Sequence, residues 1–203
     1  MIKSEKPYHH GDLKQALINA AEHILETEGL SALTLRAAAR AVGVSHTAPQ
    51  NHFGDLTGLL SEVAAAGHRQ LSAAMSEAIN NAGDAPRDKR LAMGQAYLTF
   101  AKAHPGLFTL MFRSEKLDAT RPALHDALVA QRQAMREGLI QATNTENLSD
   151  PTDIAAKAVA GWALVHGYVM LLMEGRLRGT LAALPDQDAE TFFDRVLNSM
   201  TMA

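Results

Sequence analysis

The chain has 203 residues, 47 % of them hydrophobic and 20 % charged, and its formal net charge is −3. These proportions are typical of a soluble globular protein, and the negative balance is unlike that of most nucleic-acid binders, although only a contact face has to be basic. The absence of cysteine excludes disulfides, thiol catalysis and cysteine-ligated zinc. The polar N-terminus lacks the apolar segment of a signal peptide, so we expect a cytoplasmic protein.

Apolar residues recur at helical spacing along the whole chain, and no alternating strand pattern interrupts them. We therefore expect an all-α protein of about nine helices, in which an N-terminal three-helix domain precedes a C-terminal bundle. Glycine, proline and capping residues, among them Asp55 at the start of the fourth helix, divide the chain into helices at about 12–28, 35–42, 45–53, 55–81, 86–103, 107–112, 120–142, 151–176 and 186–200.

The most apolar stretch, residues 158–173, is shorter than the roughly 20 residues that span a bilayer. His166 and Gly167 also interrupt it. We therefore expect a buried helix of a soluble protein here, with no membrane contact.

Two short helices joined by a glycine turn follow the first helix. Thr34 is placed to cap the first of them, Gly43 to form the turn, and Ser45 to cap the second. This punctuation is typical of a helix-turn-helix, whose second helix enters the major groove of DNA. Because short helices joined by glycine also occur in ordinary bundles, the spacing by itself is compatible with simple packing.

Two motifs resemble the TetR family of transcriptional regulators. The first is the run Ala38-Ala39-Arg40-Ala41-Val42-Gly43-Val44-Ser45, followed by His52-Phe53, between a glycine-terminated helix and a long helix. The second, Gly161-Trp162-Ala163-Leu164-Val165-His166-Gly167, resembles the Trp-His-Gly type of TetR C-terminal domain. The resemblance implies a DNA-binding domain at 1–55 and an effector-binding and dimerisation domain at 56–203. It also implies a dimer formed by the last two helices, which binds palindromic operator DNA and is released by a small molecule.

The second helix of the predicted helix-turn-helix, at about 45–53, is the expected DNA reader of the chain, and it and the residues just after it depart from the family pattern. The family usually has an aromatic residue at the place of Gln50, a basic residue at Asn51 and a lysine at Leu56, so contacts to phosphate are lost. Residues 1–55 carry five Lys and Arg against six Asp and Glu, which predicts weaker DNA binding than in a typical relative. The remaining predicted DNA contacts are Thr34, Arg36, Ser45, His46, Thr47, Ala48, Gln50, Asn51 and His52.

Aromatic and methionine residues cluster in the middle helices, where adaptable apolar side chains suit varied ligands. For most of them, an ordinary core is the simpler interpretation. The predicted effector contacts are Tyr97, Phe100, Phe108, Met111, Phe112, Trp162, His166 and Met170. We find no motif for a catalytic residue, metal or cofactor, and predict none.

Two other functions remain open from the sequence. The substitutions at Gln50, Asn51 and Leu56 suit a ligand-binding or protein-interaction bundle with a degenerate DNA reader. An all-helical enzyme is the second alternative, although no sequence motif pairs a nucleophile, a base and a metal.

Overall fold

A computed structural model describes residues 10–142, 150–184 and 188–199, and every regular element in these ranges is helical. The all-α prediction is confirmed. The α-helices are α1 (His10–Thr27), α2 (Leu35–Val42), α3 (Ala48–Phe53), α4 (Leu56–Asn81), α5 (Pro86–Ala103), α6 (Pro105–Met111), α7 (Pro122–Ala142), α8 (Pro151–Met173), α9 (Arg178–Ala182) and α10 (Ala189–Ser199). A 3₁₀ turn, Ser114–Lys116, lies between α6 and α7.

The helix boundaries follow local signals. The Asp55 carboxylate accepts the N–H of Gly58 at 2.7 Å and caps α4 as predicted. The helix predicted at 151–176 ends at Met173 instead, and Gly175 adopts a φ of +71° just after it. The short helix α9 beyond it was not predicted. The predicted last helix began at about residue 186, which lies outside the described residues, and its described part is α10.

The chain divides into two compact units. The first contains Met1–Gly67 and Gly106–Ala127, and the second contains His68–Pro105 and Leu128–Ala203. The boundary falls within α4 and again within α7, so each unit includes part of both helices. A division by function at residues 55 and 56 remains a prediction.

The first unit is built on helices α1, α2 and α3, which pack on one another. Its core contains large side chains that are almost fully buried: Leu17, Leu33, Phe53, Leu59, Leu107, Phe108, Leu110 and Leu124. The carboxylate of Glu26 on α1 accepts the N–H groups of Gly106 and Leu107 at 2.9 and 2.8 Å. The start of α6 is thereby attached to the end of α1.

The second unit is centred on α5, which packs on α8 and α10. Tyr97, Leu98, Phe193 and Leu197 are buried in it. The rings of Tyr168 and Phe193 lie 4.6 Å apart between centroids, so α8 and α10 meet through aromatic side chains.

Helix α8 is mostly exposed in the single chain, and the prediction that residues 158–173 are buried was wrong. Val159, Trp162 and Leu171 are 61 %, 39 % and 43 % exposed. The periodicity identified an apolar helix but could not show whether the same chain covers it. By length and composition alone, α8 is also long and apolar enough to cross a membrane. Core helices of soluble proteins meet the same two criteria, so this is weak evidence for a membrane span.

Candidate functional site

The helix-turn-helix of the first unit is formed by caps that the sequence predicts. The Thr34 hydroxyl accepts the N–H of Ala37 at 3.0 Å at the start of α2. Gly43 ends α2 with a φ of +75°, a conformation that glycine adopts without a steric cost. The N–H of Val44 returns to the carbonyl of Ala39 at 3.0 Å and closes the turn.

Helix α3 begins three residues later than predicted, and Ser45 is not its N-cap. The Ser45 hydroxyl instead shares a 3.0 Å hydrogen bond with the hydroxyl of Thr47, which precedes Ala48 at the start of the helix. Pro49 explains the difference. A helix capped by Ser45 would place Pro49 where a backbone N–H must donate to the Ser45 carbonyl, whereas a start at Ala48 leaves Pro49 in the first turn.

The predicted DNA contacts of this segment lie together on the exposed side of α3 and of the turn before it. Ser45, His46, Thr47, Gln50 and Asn51 are exposed, and Ala48 and His52 are half-buried. Thr34 and Arg36 are exposed at the start of α2.

The opposite side of α3 anchors it in the unit. Pro49 and Phe53 are buried there. The proline ring therefore contributes to packing rather than to the exposed face.

Few cationic side chains accompany this face. Arg36 and Arg40 on α2 are exposed, but the ammonium of Lys14 is paired with the carboxylate of Glu62 at 2.7 Å. Leu56, where the family usually has lysine, is 37 % exposed at the start of α4.

One further cation lies beside the start of α4, and the sequence did not predict it. The Arg121 guanidinium is 3.6 Å from the Asp55 carboxylate and 3.7 Å from that of Asp118. A Cβ on Gly58 would come within 2.6 Å of Arg121 Cζ, so the glycine makes room for this side chain. Two carboxylates offset much of its charge.

The second unit contains a small apolar cavity of about 60 Å³. Its walls include three methionines, one from each of α4, α5 and α7: Met75, Met93 and Met135. Tyr97 of α5 and Trp162 of α8 add aromatic surface, and Gly94 and Gly161 leave space. Arg90 is the one charged side chain among the described residues that line it.

A polar pair lies beside this cavity. The Tyr97 hydroxyl and His166 Nδ1 are 2.9 Å apart, and the rings of Trp162 and His166 have centroids 5.8 Å apart. Burial raises the pKa of Tyr97 above its usual value and lowers that of His166. Both side chains are therefore uncharged at neutral pH, and the Tyr97 hydroxyl is engaged with His166 Nδ1.

The predicted effector contacts are only partly brought together. Tyr97 and Trp162 line the cavity, and His166, which is hydrogen-bonded to Tyr97, is not among the lining residues. Phe100 lines a separate shallow groove with His104, and Met170 is half-buried on α8 away from the cavity lining.

Three predicted contacts belong to the other unit. These are Phe108, Met111 and Phe112, which lie in the first unit because α6 and the turn after it pack there. Sequence reasoning did not single out Met75, Arg90 and Met135 as lining residues, since each lies on a helix whose pattern only marks it as amphipathic. Within the described residues, no group of three His, Cys, Asp or Glu side chains is placed to hold a metal ion.

A helix-turn-helix followed by a helical body with an apolar cavity is the architecture of ligand-responsive DNA-binding regulators. Residues 91–200 match the family model described as "Tetracyclin repressor-like, C-terminal domain". The chain belongs to the TetR family of transcriptional regulators. The Trp-His-Gly subtype remains a prediction.

Solved structures share this fold. A protein of unknown function from Rhodococcus sp. RHA1 is 31 % identical, with a TM-score of 0.76 over 97 % of this chain and 95 % of that one. The TetR family regulator PfmR from Thermus thermophilus is 17 % identical, with a TM-score of 0.60 over 89 % and 96 %. The multidrug binding protein EbrR, solved with imidazole, is 19 % identical, with a TM-score of 0.53 over 92 % and 93 %. No curated protein matches the chain.

Proposed function

We propose that this chain is a cytoplasmic transcriptional repressor that binds palindromic operator DNA as a homodimer and is released by a small-molecule effector. The observation that carries the proposal is the exposed polar face of α3, which lies on a helix-turn-helix with both ends of α2 capped. A helix of this kind presents its polar side to the edges of bases in the major groove.

Base contacts are available on this face. The carboxamides of Gln50 and Asn51 are exposed, and each can pair in a bidentate manner with adenine. Thr47 and Ala48 offer methyl groups to thymine, while Ser45 and His46 can donate hydrogen bonds to phosphate. We therefore expect recognition to favour half-sites that contain A·T pairs.

Contacts to the DNA backbone are fewer than in a typical relative. If Arg36 and Arg40 of each protomer neutralise one phosphate apiece, a dimer contacts about four phosphates. A plot of the logarithm of the association constant against the logarithm of the salt concentration should then have a slope of about −4. A slope near −10 would contradict this account, since it would require many more phosphate contacts.

The test is selection of duplexes from a random pool, followed by fluorescence anisotropy at several salt concentrations. Gln50→Ala and Asn51→Ala should each weaken binding to the selected duplex by about tenfold or more and leave binding to scrambled DNA unchanged. Gln133→Ala, which changes an exposed glutamine on α7, is the matched control. Equal binding of selected and scrambled duplexes by the wild-type chain would overturn the proposal.

The proposed dimer rests on apolar side chains that α8 leaves exposed. Val159 and Trp162, three residues apart, share one side of the helix and are 61 % and 39 % exposed, and a second copy related by a two-fold axis would cover them. Helix α10, whose partly exposed Phe192 and Val196 flank its buried residues, completes the surface. Two readers in a two-fold dimer match a palindromic site.

Exposed valines on two helices provide a matched test of this surface. Val159→Glu on α8 should shift the sedimentation coefficient from dimer to monomer, because it places a charge on the face that dimerisation would bury. Val129→Glu on α7 introduces the same change at a valine that is 41 % exposed and should remain dimeric. A monomeric wild-type chain, or a Val159→Glu variant that stays dimeric, contradicts the proposed interface.

The cavity of the second unit is the proposed effector site. For an effector to release the protein from DNA, it must bind more tightly to a conformation in which the two DNA-binding helices no longer match the spacing of the half-sites. Helix α4 contributes residues to both units and is the proposed lever.

A second candidate function follows from the substitutions in the reader. Leu56 exposes an apolar side chain where the family usually has lysine, as expected if the chain binds ligands or proteins but no longer binds DNA. The double variant Gln50→Tyr with Leu56→Lys separates the two functions. A DNA-binding wild type that gains affinity in this variant supports the repressor, whereas binding confined to the variant supports a degenerate reader.

A further inference from the structure

Arg90 is the one charged side chain among the described residues that line the cavity of the second unit. The side chain comes from α5 and lines the cavity beside Met93 and Gly94. Its Nη1 donates to the carbonyl of Ala142 at 3.2 Å. Its Nε is buried and has no hydrogen-bond partner among the described residues.

No carboxylate offsets this charge where the structure describes the chain. Arg90 takes part in none of the ion pairs found in residues 10–142, 150–184 and 188–199, and the described cavity walls contain no Asp or Glu. The neighbouring guanidinium of Arg87 adds a second positive charge, and burial together with Arg87 lowers the pKa of Arg90. A partly desolvated cation without an anionic partner stabilises a bound anion strongly.

The other polar groups near the cavity do not favour a cation. Tyr97 and His166 are hydrogen-bonded to each other and uncharged, and the remaining walls consist mainly of methionine, leucine, alanine and tryptophan side chains. An amine or quaternary ammonium ligand would find no carboxylate in these walls and would face the positive charge of Arg90.

The size of the cavity limits the ligand. A single water needs about 10–15 Å³ of cavity space, so 60 Å³ corresponds to about four to six non-hydrogen atoms of a bound molecule before any side chain moves. The three methionines can change rotamer and admit a somewhat longer apolar tail.

We propose that the effector site selects small apolar carboxylic acids, with the carboxylate at Arg90 and the hydrocarbon part among Met75, Met93 and Met135. This inference rests on the proposed effector site and adds the chemical class of its ligand. It makes Arg90 the residue that determines specificity for charge, while the methionines determine size.

Trp162 provides a direct readout, because it is the sole tryptophan of the chain and lines the cavity. Three probes of nearly equal shape are titrated against its emission: pentanoate, pentanamide and pentylammonium. All three are transparent at the excitation wavelength. We expect pentanoate to bind at least about tenfold more tightly than pentanamide, and pentylammonium to bind weakest.

Substitutions at Arg90 test its role. Arg90→Met should reduce pentanoate binding to the level of pentanamide and leave pentanamide binding within about threefold of wild type, whereas Arg90→Lys should keep the preference for the acid. Arg69→Met changes an exposed arginine on α4 that does not line the cavity, and it is the matched control. The wild-type comparison of the three probes remains decisive if Arg90→Met does not fold.

Two outcomes overturn the inference. Equal or tighter binding of pentanamide or pentylammonium would show that the cavity binds ligands without selecting an anion, and the proposed effector site would stand. No response of Trp162 emission to any probe at 100-fold the expected dissociation constant of about 1 mM would exclude this ligand class. Neither outcome affects the DNA-binding proposal, which is tested by duplex selection.

Discussion

The contact between Glu26 and helix α6 predicts a large stability effect from a single carboxylate. Glu26 Oε2 accepts the N–H of Gly106 and Oε1 that of Leu107, at 2.9 and 2.8 Å, across 80 residues of chain. These N–H groups lie in the first turn of α6 and have no partner within their own helix. Gly106 permits the close approach, because a Cβ there would lie 2.7 Å from the Leu25 carbonyl oxygen.

The magnitude follows from the number and kind of hydrogen bonds. A hydrogen bond to a charged group contributes about 1.5–3 kcal/mol, and a negative charge at a helix N-terminus adds about 0.3–1 kcal/mol. The site of Glu26 is only partly buried, so water can replace part of what is lost, and the lower ends of these ranges apply. We expect Glu26→Gln, which keeps one acceptor, to lower the free energy of unfolding by about 1–2 kcal/mol. Glu26→Ala, which removes both, should lower it by about 2–4 kcal/mol.

The assay is thermal and urea unfolding followed by circular dichroism at a fixed protomer concentration. For a chain of this size, Glu26→Gln should lower Tm by about 2–8 °C. Glu28→Gln is the control, because Glu28 is exposed just beyond the end of α1 and its change should cost less than about 0.5 kcal/mol. Equal Tm values for the two glutamine variants would refute the argument that the carboxylate of Glu26 holds the start of α6.

Two further predictions concern the helix-turn-helix and the helix that follows it. Thr34→Ala should lower the free energy of unfolding by about 1 kcal/mol in urea titrations, because the hydroxyl that caps α2 is lost, and Thr34→Ser should restore it. Gly58→Ala should cost more than about 2 kcal/mol, since the new Cβ would lie 2.0 Å from the carbonyl oxygen of Phe53. Gly179→Ala, with no atom within 4 Å of its Cβ, is the control and should be neutral or stabilising; equal losses would contradict the steric argument.

The positions of most helices could be predicted because their signals are local. Thr34, Gly43 and Asp55 act on backbone groups only a few residues away, and the structure confirms all three. The predicted start of α3 was wrong because two local signals competed. Ser45 suits a cap, but Pro49 cannot supply the N–H that such a helix needs.

The burial of α8 could not be predicted from its sequence. An apolar composition indicates that a helix surface is shielded from water, but it does not identify the surface that shields it. Residues such as Val159 read as core in the sequence and are exposed in the single chain. An apolar face of this kind signals a partner as readily as a core.

The candidate cavity was predictable only in part. Tyr97 and Trp162 were found because aromatic residues stand out in a helical pattern, and both line the cavity. Arg90 and the two methionines of α4 and α7 were not found, since their approach depends on how distant helices pack. The pairing of Glu26 with α6 was unpredictable for the same reason, because 80 residues separate the partners.

In the proposed repressor, the scarcity of cations in the DNA-binding domain would make release by an effector easier. One protomer that contacts few phosphates would bind a single half-site with low affinity. Operator binding would then depend on engaging both half-sites at once, which raises the affinity by about 10²–10⁴. An effector that favours separated DNA-binding domains would remove part or all of this factor. A coupling free energy of about 1–3 kcal/mol, the usual range for allosteric proteins, would then offset a large share of what holds the proposed dimer on DNA. The substitution Leu56→Lys should therefore strengthen operator binding and also raise the effector concentration that is needed to release the protein from DNA. An unchanged release concentration in a more tightly binding Leu56→Lys variant would contradict this argument.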